Sequence, residues 1–262
     1  MRLSWKLGRV SGIDLFLHPS ALLWFFFGAQ MSATPLESAV LVVALLGSIV
    51  LHELGHALMA RQYGIDTADI TLYIFGGVAR LERMPRSSGP ELLIALAGPA
   101  VNFAIVLALG AILALTSLAT PWPLPLLVNI LTINLGLGIF NLIPAFPMDG
   151  GRVLRALLSG WLGRVKATET AAALGRGLAI AGGLYFLVSG NYQAIILAGF
   201  VYMAGSLELQ QVRAEGRGLS IPGGFVNLPD PPPGCRWADS GNGILRPVPI
   251  MMNPMRRDRS WS

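Results

Sequence analysis

The sequence predicts an all-α polytopic membrane protein of about six transmembrane helices, with a small membrane-associated β-hairpin or sheet. Three observations lead there. Hydrophobic residues make up 53% of the chain against 13% charged, and the mean hydropathy is +0.61, too apolar for a soluble domain of 262 residues. The apolar residues gather into long runs separated by Pro, Gly and charged clusters. The 19 Lys and Arg fall before the first run, after the second, fourth and sixth, or, for Arg176, inside the fifth. Alternate loops thus lack positive charge, which predicts a multi-pass protein of the cell membrane with both termini in the cytoplasm. That topology accounts for the net charge of +5 and leaves no reason to expect nucleic acid as a partner; the lipid bilayer is the expected one. The lone Cys235 excludes an intramolecular disulfide.

Residues 1 to 18 are mixed in polarity, and Val10 to Leu17 suit a short strand or interfacial segment before His18-Pro19. No small-residue cleavage site follows Arg2 and Lys6, so this end is expected to be retained. A first span is expected over Ser20–Ser32, short for a hydrocarbon layer about 30 Å thick. Pro35 to Glu37 read as a turn, and a second span follows over Ser38–Ala60. Ile70–Phe75 and Val78–Leu81 are strand-like on either side of Gly76-Gly77, a hairpin signal. The third span, Glu91–Leu115, contains Gly98, Pro99 and Asn102. A proline-freed carbonyl and a buried amide need partners within lipid, so this face is expected to look into the protein. A fourth span, Leu124–Ile143, breaks into a Pro- and Gly-rich stretch ending at Arg152. Arg152–Glu169 read as an interfacial helix, and two final spans follow over Thr170–Val188 and Tyr192–Leu209. From Glu215 the apolar periodicity disappears and Pro231 to Pro233 are consecutive. The expected division is therefore a membrane domain over 1–214, with its motif-bearing core at about 38–152, and a mostly disordered aqueous tail over 215–262.

The chemistry centres on His52-Glu53-Leu54-Gly55-His56, late in the second span. On a helix, His52 and His56 lie one turn apart on one face and can grip one metal ion, with Glu53 beside them as a base for a metal-bound water. With three His and seven Glu in the chain, this motif would arise at random about one time in a thousand. The rival reading is two buried histidines bonded to backbone. A catalytic zinc takes three protein ligands and one open position. His18 is the only other histidine and reads as structural before Pro19. Asp149 is the best third candidate, because it ends an apolar span in a break that can turn its carboxylate into the bundle; its alternative role is a turn former or helix cap. The hairpin at Gly76 and Gly77 suggests how an unwound substrate segment is held, by adding as a strand to an exposed edge. Simple sheet packing is the alternative.

His52-Glu53-Leu54-Gly55-His56, Gly98-Pro99-x-x-Asn102 and Asn141-x-x-Pro144-x-x-Pro147-x-Asp149-Gly150-Gly151 together resemble the site-2 protease family of intramembrane zinc metalloproteases. The likeness covers about residues 10 to 210. It implies one Zn2+ per chain held by His52, His56 and Asp149, with Glu53 as catalytic acid/base. It further implies that Asn141, in one motif with Pro144 and Pro147, helps hold substrate or the reaction intermediate, and that Gly98, Pro99 and Asn102 support the site. The implied activity is regulated intramembrane proteolysis of a membrane-anchored protein, such as an anti-sigma factor or a membrane-tethered precursor, under a regulatory membrane partner. Residues 61 to 90 are too few for the PDZ domain of many bacterial relatives, and the stretch after Glu215 is too short for a pair of cystathionine-β-synthase-type domains. The rivals from other classes are a membrane transporter, since buried His and Asp on Pro-broken helices also line ion pathways, and a catalytically silent metal-binding scaffold.

Overall fold

Thr34 accepts a hydrogen bond from the Glu37 amide at 3.3 Å, and Pro35 occupies the first helical position. These two features start helix α1 at Pro35, so the expected turn over Pro35–Glu37 is instead the helix's first turn. The structure is a computed structural model that describes residues 4–24, 34–74, 76–82, 85, 87–116, 124–190, 192–216, 235–239 and 245–249. Its described helices are α1 (Pro35–Gln62), α2 (Ser88–Thr116), α3 (Leu124–Asn141), α4 (Asp149–Leu162), α5 (Arg164–Val188) and α6 (Tyr192–Gly216). α1, α2 and α5 are long and apolar enough to cross a membrane, while α3 and α6 carry shorter apolar stretches, Pro125–Asn141 and Ile195–Gln210.

Two expectations about the ends of elements change. Most of the expected first span lies outside the described residues; its start, Pro19–Leu22, is a 3-10 turn capped by His18, whose Nδ1 accepts from the Ser20 amide at 3.2 Å. The expected interfacial helix over Arg152–Glu169 is two helices, because Gly163 turns the chain at φ 76°. Only a residue without a Cβ takes that conformation readily, so α4 ends there and Arg164 opens α5.

The expected hairpin is part of a larger sheet. β1 (Trp5–Val10), β2 (Ile13–Leu17), β3 (Thr67–Tyr73) and β4 (Gly76–Leu81) lie in that order, with β2 and β3 parallel and the outer pairs antiparallel. Gly76 pairs with Tyr73 and Gly77 with Leu72, so the two glycines open β4 instead of forming the turn. β4 is an edge strand and lies against α1.

The polarity of the helical unit is inverted relative to a soluble fold. Leu107, Leu115, Leu184 and Ile196 are exposed, whereas Ser48, His52, His56, Glu91, Asn102, Asn134, Asp149 and Arg155 are buried. An apolar exterior of this kind suits lipid, and the interior polar groups must then satisfy one another.

Arg155 shows how they do so. It is 1% exposed, and its guanidinium reaches Glu91 on α2 at 2.6 Å and Glu208 on α6 at 2.5 Å. It also lies 5.1 Å above the Phe146 ring, in the loop that leads to Asp149. Burial opposes the Arg155 charge, and the two carboxylates outweigh it and raise its pKa. Removing one partner of such a cluster leaves uncompensated charge in a dry interior. Arg155→Met is expected to destabilise the fold by about 3–5 kcal/mol, read as a lowered thermal unfolding midpoint in detergent. Removing all three charges together should cost less than this single change.

The chain divides into two compact units, Met1–Val212 and Arg213–Ser262. Within the second unit, β5 (Cys235–Asp239) and β6 (Leu245–Pro249) form an antiparallel pair. The sequence reading placed no strand there.

Candidate metal centre

α1 carries His52 and His56 one turn apart, α2 crosses it, and the loop after α3 delivers Asp149 as the first residue of α4. Three ligand atoms meet. His52 Nε2 and His56 Nε2 are 3.1 Å apart, and Asp149 Oδ2 is 3.1 Å from each. All three residues are buried, and they form the one His/Cys/Asp/Glu group able to hold a metal ion among the described residues. His18 is not part of it.

The far sides of the imidazoles decide what this triangle can do. His52 Nδ1 donates to Asn102 Oδ1 at 2.5 Å, and His56 Nδ1 donates to the Ile94 carbonyl at 2.6 Å. A carbonyl oxygen only accepts, so each ring keeps its hydrogen on Nδ1 and turns a lone pair from Nε2 toward the centre. Two lone pairs and a carboxylate oxygen thus face one another with no hydrogen between them, which repels unless a cation stands among them. The spacing fits zinc: tetrahedral ligands at about 2.05 Å from the metal are roughly 3.3 Å apart. An all-N/O set of two histidines and one carboxylate matches the donors of catalytic zinc sites.

α2 is shaped for this contact. A Cβ on Gly98 would lie 2.2 Å from His56 Nε2 and 2.7 Å from His52 Nε2, so the helix can approach both rings only at a glycine. Pro99 interrupts the helical hydrogen-bond ladder next to it, and the Ile94 carbonyl that receives His56 lies in the turn before. Gly98→Ala is expected to push both ligand atoms aside and lower zinc affinity by about 10- to 100-fold or more, measured by chelator competition on detergent-purified protein.

Glu53 points to the sheet. Its Oε2 accepts from the Ala79 amide on β4 at 3.1 Å, and a Cβ on Gly77 would come within 2.5 Å of its Cγ. Backbone amides alternate sides along an antiparallel strand, so the Ala79 amide lies on the open edge, away from β3. The structure therefore brings Glu53, Gly77 and the open edge of β4 together beside the two histidines. Gly76 makes no comparable approach. Asn141 ends α3 with its Nδ2 donating to the Leu137 carbonyl at 2.9 Å, and Pro144 and Pro147 lie in the connection to Asp149, where Phe146-Pro147 is cis. Among the described residues, that bond to Leu137 is the side-chain hydrogen bond Asn141 makes, and it stays within α3.

The model for "Peptidase family M50" matches residues 40–122 and 118–184. "Zinc metalloprotease MJ0392" of Methanocaldococcus jannaschii is 38% identical over 236 residues, spanning 88% of this chain and 68% of that protein. The chain belongs to peptidase family M50. The solved structure "Site-2 Protease from Methanocaldococcus jannaschii" superposes with a TM-score of 0.61 at 39% identity, covering 79% of this chain and 95% of that one. "Putative zinc metalloprotease Rip3" of Mycobacterium tuberculosis is 32% identical over 281 residues, covering 95% of this chain and 69% of that relative. Membership in M50, the site-2 protease family, makes the chain a membrane zinc metalloprotease with Zn2+ as its cofactor, and its fold is that of the family. Membrane proteins and the bilayer follow as the setting in which an M50 enzyme works.

Sequence reasoning passed over two residues beside this M50 site. Asn134 on α3 accepts from Asn102 Nδ2 at 3.0 Å and donates to Ser48 Oγ at 3.0 Å, both within the bundle interior. A polar residue inside an apolar run was a usable signal, since lipid offers an amide no partner.

Proposed function

We propose that this chain is an intramembrane endopeptidase that hydrolyses peptide bonds in or near the transmembrane segment of membrane-anchored proteins. The observation that carries the reading is the triangle of His52, His56 and Asp149, whose ligand atoms lie 3.1 Å apart with the imidazole hydrogens turned outward. These three residues would hold the zinc. When bound, zinc polarises a substrate carbonyl and acidifies water. Glu53, one residue from His52, takes the proton of the attacking water and returns it to the leaving amine nitrogen.

Substrate handling follows from the sheet. A transmembrane helix hides its carbonyls in internal hydrogen bonds and must be unwound before attack. The open edge of β4, with Gly76 and Gly77 at its start, offers backbone partners to an extended segment beside Glu53. Asn141, Pro144 and Pro147 are assigned to substrate binding on the family likeness, and Gly98, Pro99 and Asn102 to supporting the ligands. The positive-inside pattern puts both termini in the cytoplasm, so α1 runs inward with His56 about 9 Å and His52 about 15 Å from its cytoplasmic end. The biological role is regulated intramembrane proteolysis, with an anti-sigma factor or a membrane-tethered precursor as the substrate class and a membrane partner as regulator. The tail over 215–262 lies outside the catalytic unit.

The test is co-reconstitution in liposomes with a panel of single-span peptides, followed by mass spectrometry. Paired fragments whose masses sum to the peptide plus one water, absent after zinc chelation, are the expected result. Zinc or proton flux across the vesicles, with no fragment from any peptide, would move the assignment to a transporter.

A further inference from the structure

We infer that Asn134 is a positioning residue for the metal centre: it sets which way round the Asn102 amide stands and thereby which nitrogen of His52 is left to bind metal. The inference rests on the ligand set proposed above. Asn102 and Asn134 are both 0% exposed, on α2 and α3. An asparagine amide has nearly the same shape when its oxygen and nitrogen are exchanged, so packing alone cannot choose between the two orientations. Hydrogen-bond polarity can.

The polarity is fixed from the far end. The Ser48 hydroxyl donates to the Ala44 carbonyl at 2.8 Å, so toward Asn134 its oxygen can only accept. Asn134 meets it with Nδ2 at 3.0 Å and gives the Ile130 carbonyl a second hydrogen bond from the same nitrogen at 2.9 Å. Its Oδ1 is thereby turned to Asn102, where it accepts from Nδ2 at 3.0 Å. That in turn leaves Asn102 Oδ1 for His52, 2.5 Å from Nδ1. An oxygen there requires the hydrogen on Nδ1 and keeps the lone pair on Nε2, the atom that faces Asp149 and His56. Were Asn102 reversed, its NH2 would face Nδ1, the hydrogen would move to Nε2, and a metal ligand would be lost. The relay leaves α1 at Ser48 and returns to it one turn later at His52, by way of α3 and α2.

Two readouts test this without any substrate. Zinc affinity is measured by chelator competition for wild type, Asn134→Leu, Asn102→Ala and the double variants Asn134→Leu/Asn102→Ala and Asn134→Leu/Asn102→Asp. Asn134→Leu should weaken zinc about 10- to 100-fold. Asn134→Leu/Asn102→Asp presents an oxygen to His52 Nδ1 whichever way the group at position 102 stands, and should bind zinc more tightly than Asn134→Leu. Asn134→Leu/Asn102→Ala should bind no worse than Asn102→Ala alone, because the relay is already cut. The chain has three histidines, so 15N spectra of zinc-free protein can report the His52 tautomer: hydrogen on Nδ1 in wild type, on Nε2 or exchanging in Asn134→Leu. Wild-type affinity in Asn134→Leu, an equal loss in the presence and absence of the Asn102 amide, or no recovery in Asn134→Leu/Asn102→Asp would each overturn the assignment. If the leucine variant fails to fold, Asn134→Ala takes its place and the wild-type spectrum still decides: wild-type zinc affinity in the first, or a His52 Nδ1 without hydrogen in the second, overturns it.

Discussion

Glu53→Gln is expected to lower peptide cleavage by about 10²- to 10⁴-fold while the protein still binds zinc. The amide keeps the size of the side chain and can present an oxygen to the Ala79 amide, 3.1 Å from the carboxylate in the native chain. It cannot take a proton from water near neutral pH. Neither ligand-bearing imidazole depends on it, since His52 is oriented by Asn102 and His56 by Ile94. Cleavage of a reconstituted single-span peptide and zinc content should therefore separate: the first falls, the second holds. Cleavage at the wild-type rate would remove Glu53 from the chemistry.

Asp149→Ala is expected to act the other way, on the metal itself. Removing one of the three proposed ligands forfeits roughly a quarter to a third of a zinc-binding free energy on the order of 10–16 kcal/mol, and so weakens binding by about 60-fold or more. It also leaves two Nε2 lone pairs 3.1 Å apart without the carboxylate that completes the set. Helix capping is a small part of its role, because the cap residue of α4 is Met148, and the Asp149 carboxylate is turned to the imidazoles. The zinc-free variant should therefore unfold close to zinc-free wild type. A large loss of stability in the zinc-free state, with zinc affinity intact, would make Asp149 the turn former of the rival reading.

The candidate site residues were legible to different degrees, for physical reasons. His52, Glu53 and His56 form a local pattern, because one turn of helix aligns them whatever the rest of the chain does. Asp149 lies 97 residues from His52 and showed itself only through the Pro- and Gly-rich break at the end of an apolar span. The hairpin around Gly76 was readable from strand-like runs. The β2–β3 pairing was not, since Asp14 meets Asp69 through a parallel register that no local turn dictates. Arg155 entered the sequence reading only as one of the loop charges that set topology. In the fold it is buried between Glu91 and Glu208, partners 64 and 53 residues away along the chain. Asn134 carried a signal of composition without an address: an amide in a lipid-spanning run needs a partner, and only the crossing of α1, α2 and α3 shows which one.

The most direct measurement of the central claim, that His52, His56 and Asp149 hold one catalytic zinc inside the membrane domain, is the zinc content and zinc K-edge absorption spectrum of the purified wild-type chain. The expected result is about one zinc per chain in a shell of nitrogen and oxygen at about 2.0–2.2 Å, with the outer-shell scattering of two imidazoles. A chain that takes up no zinc on reconstitution, or a shell with sulfur at about 2.3 Å, would contradict it.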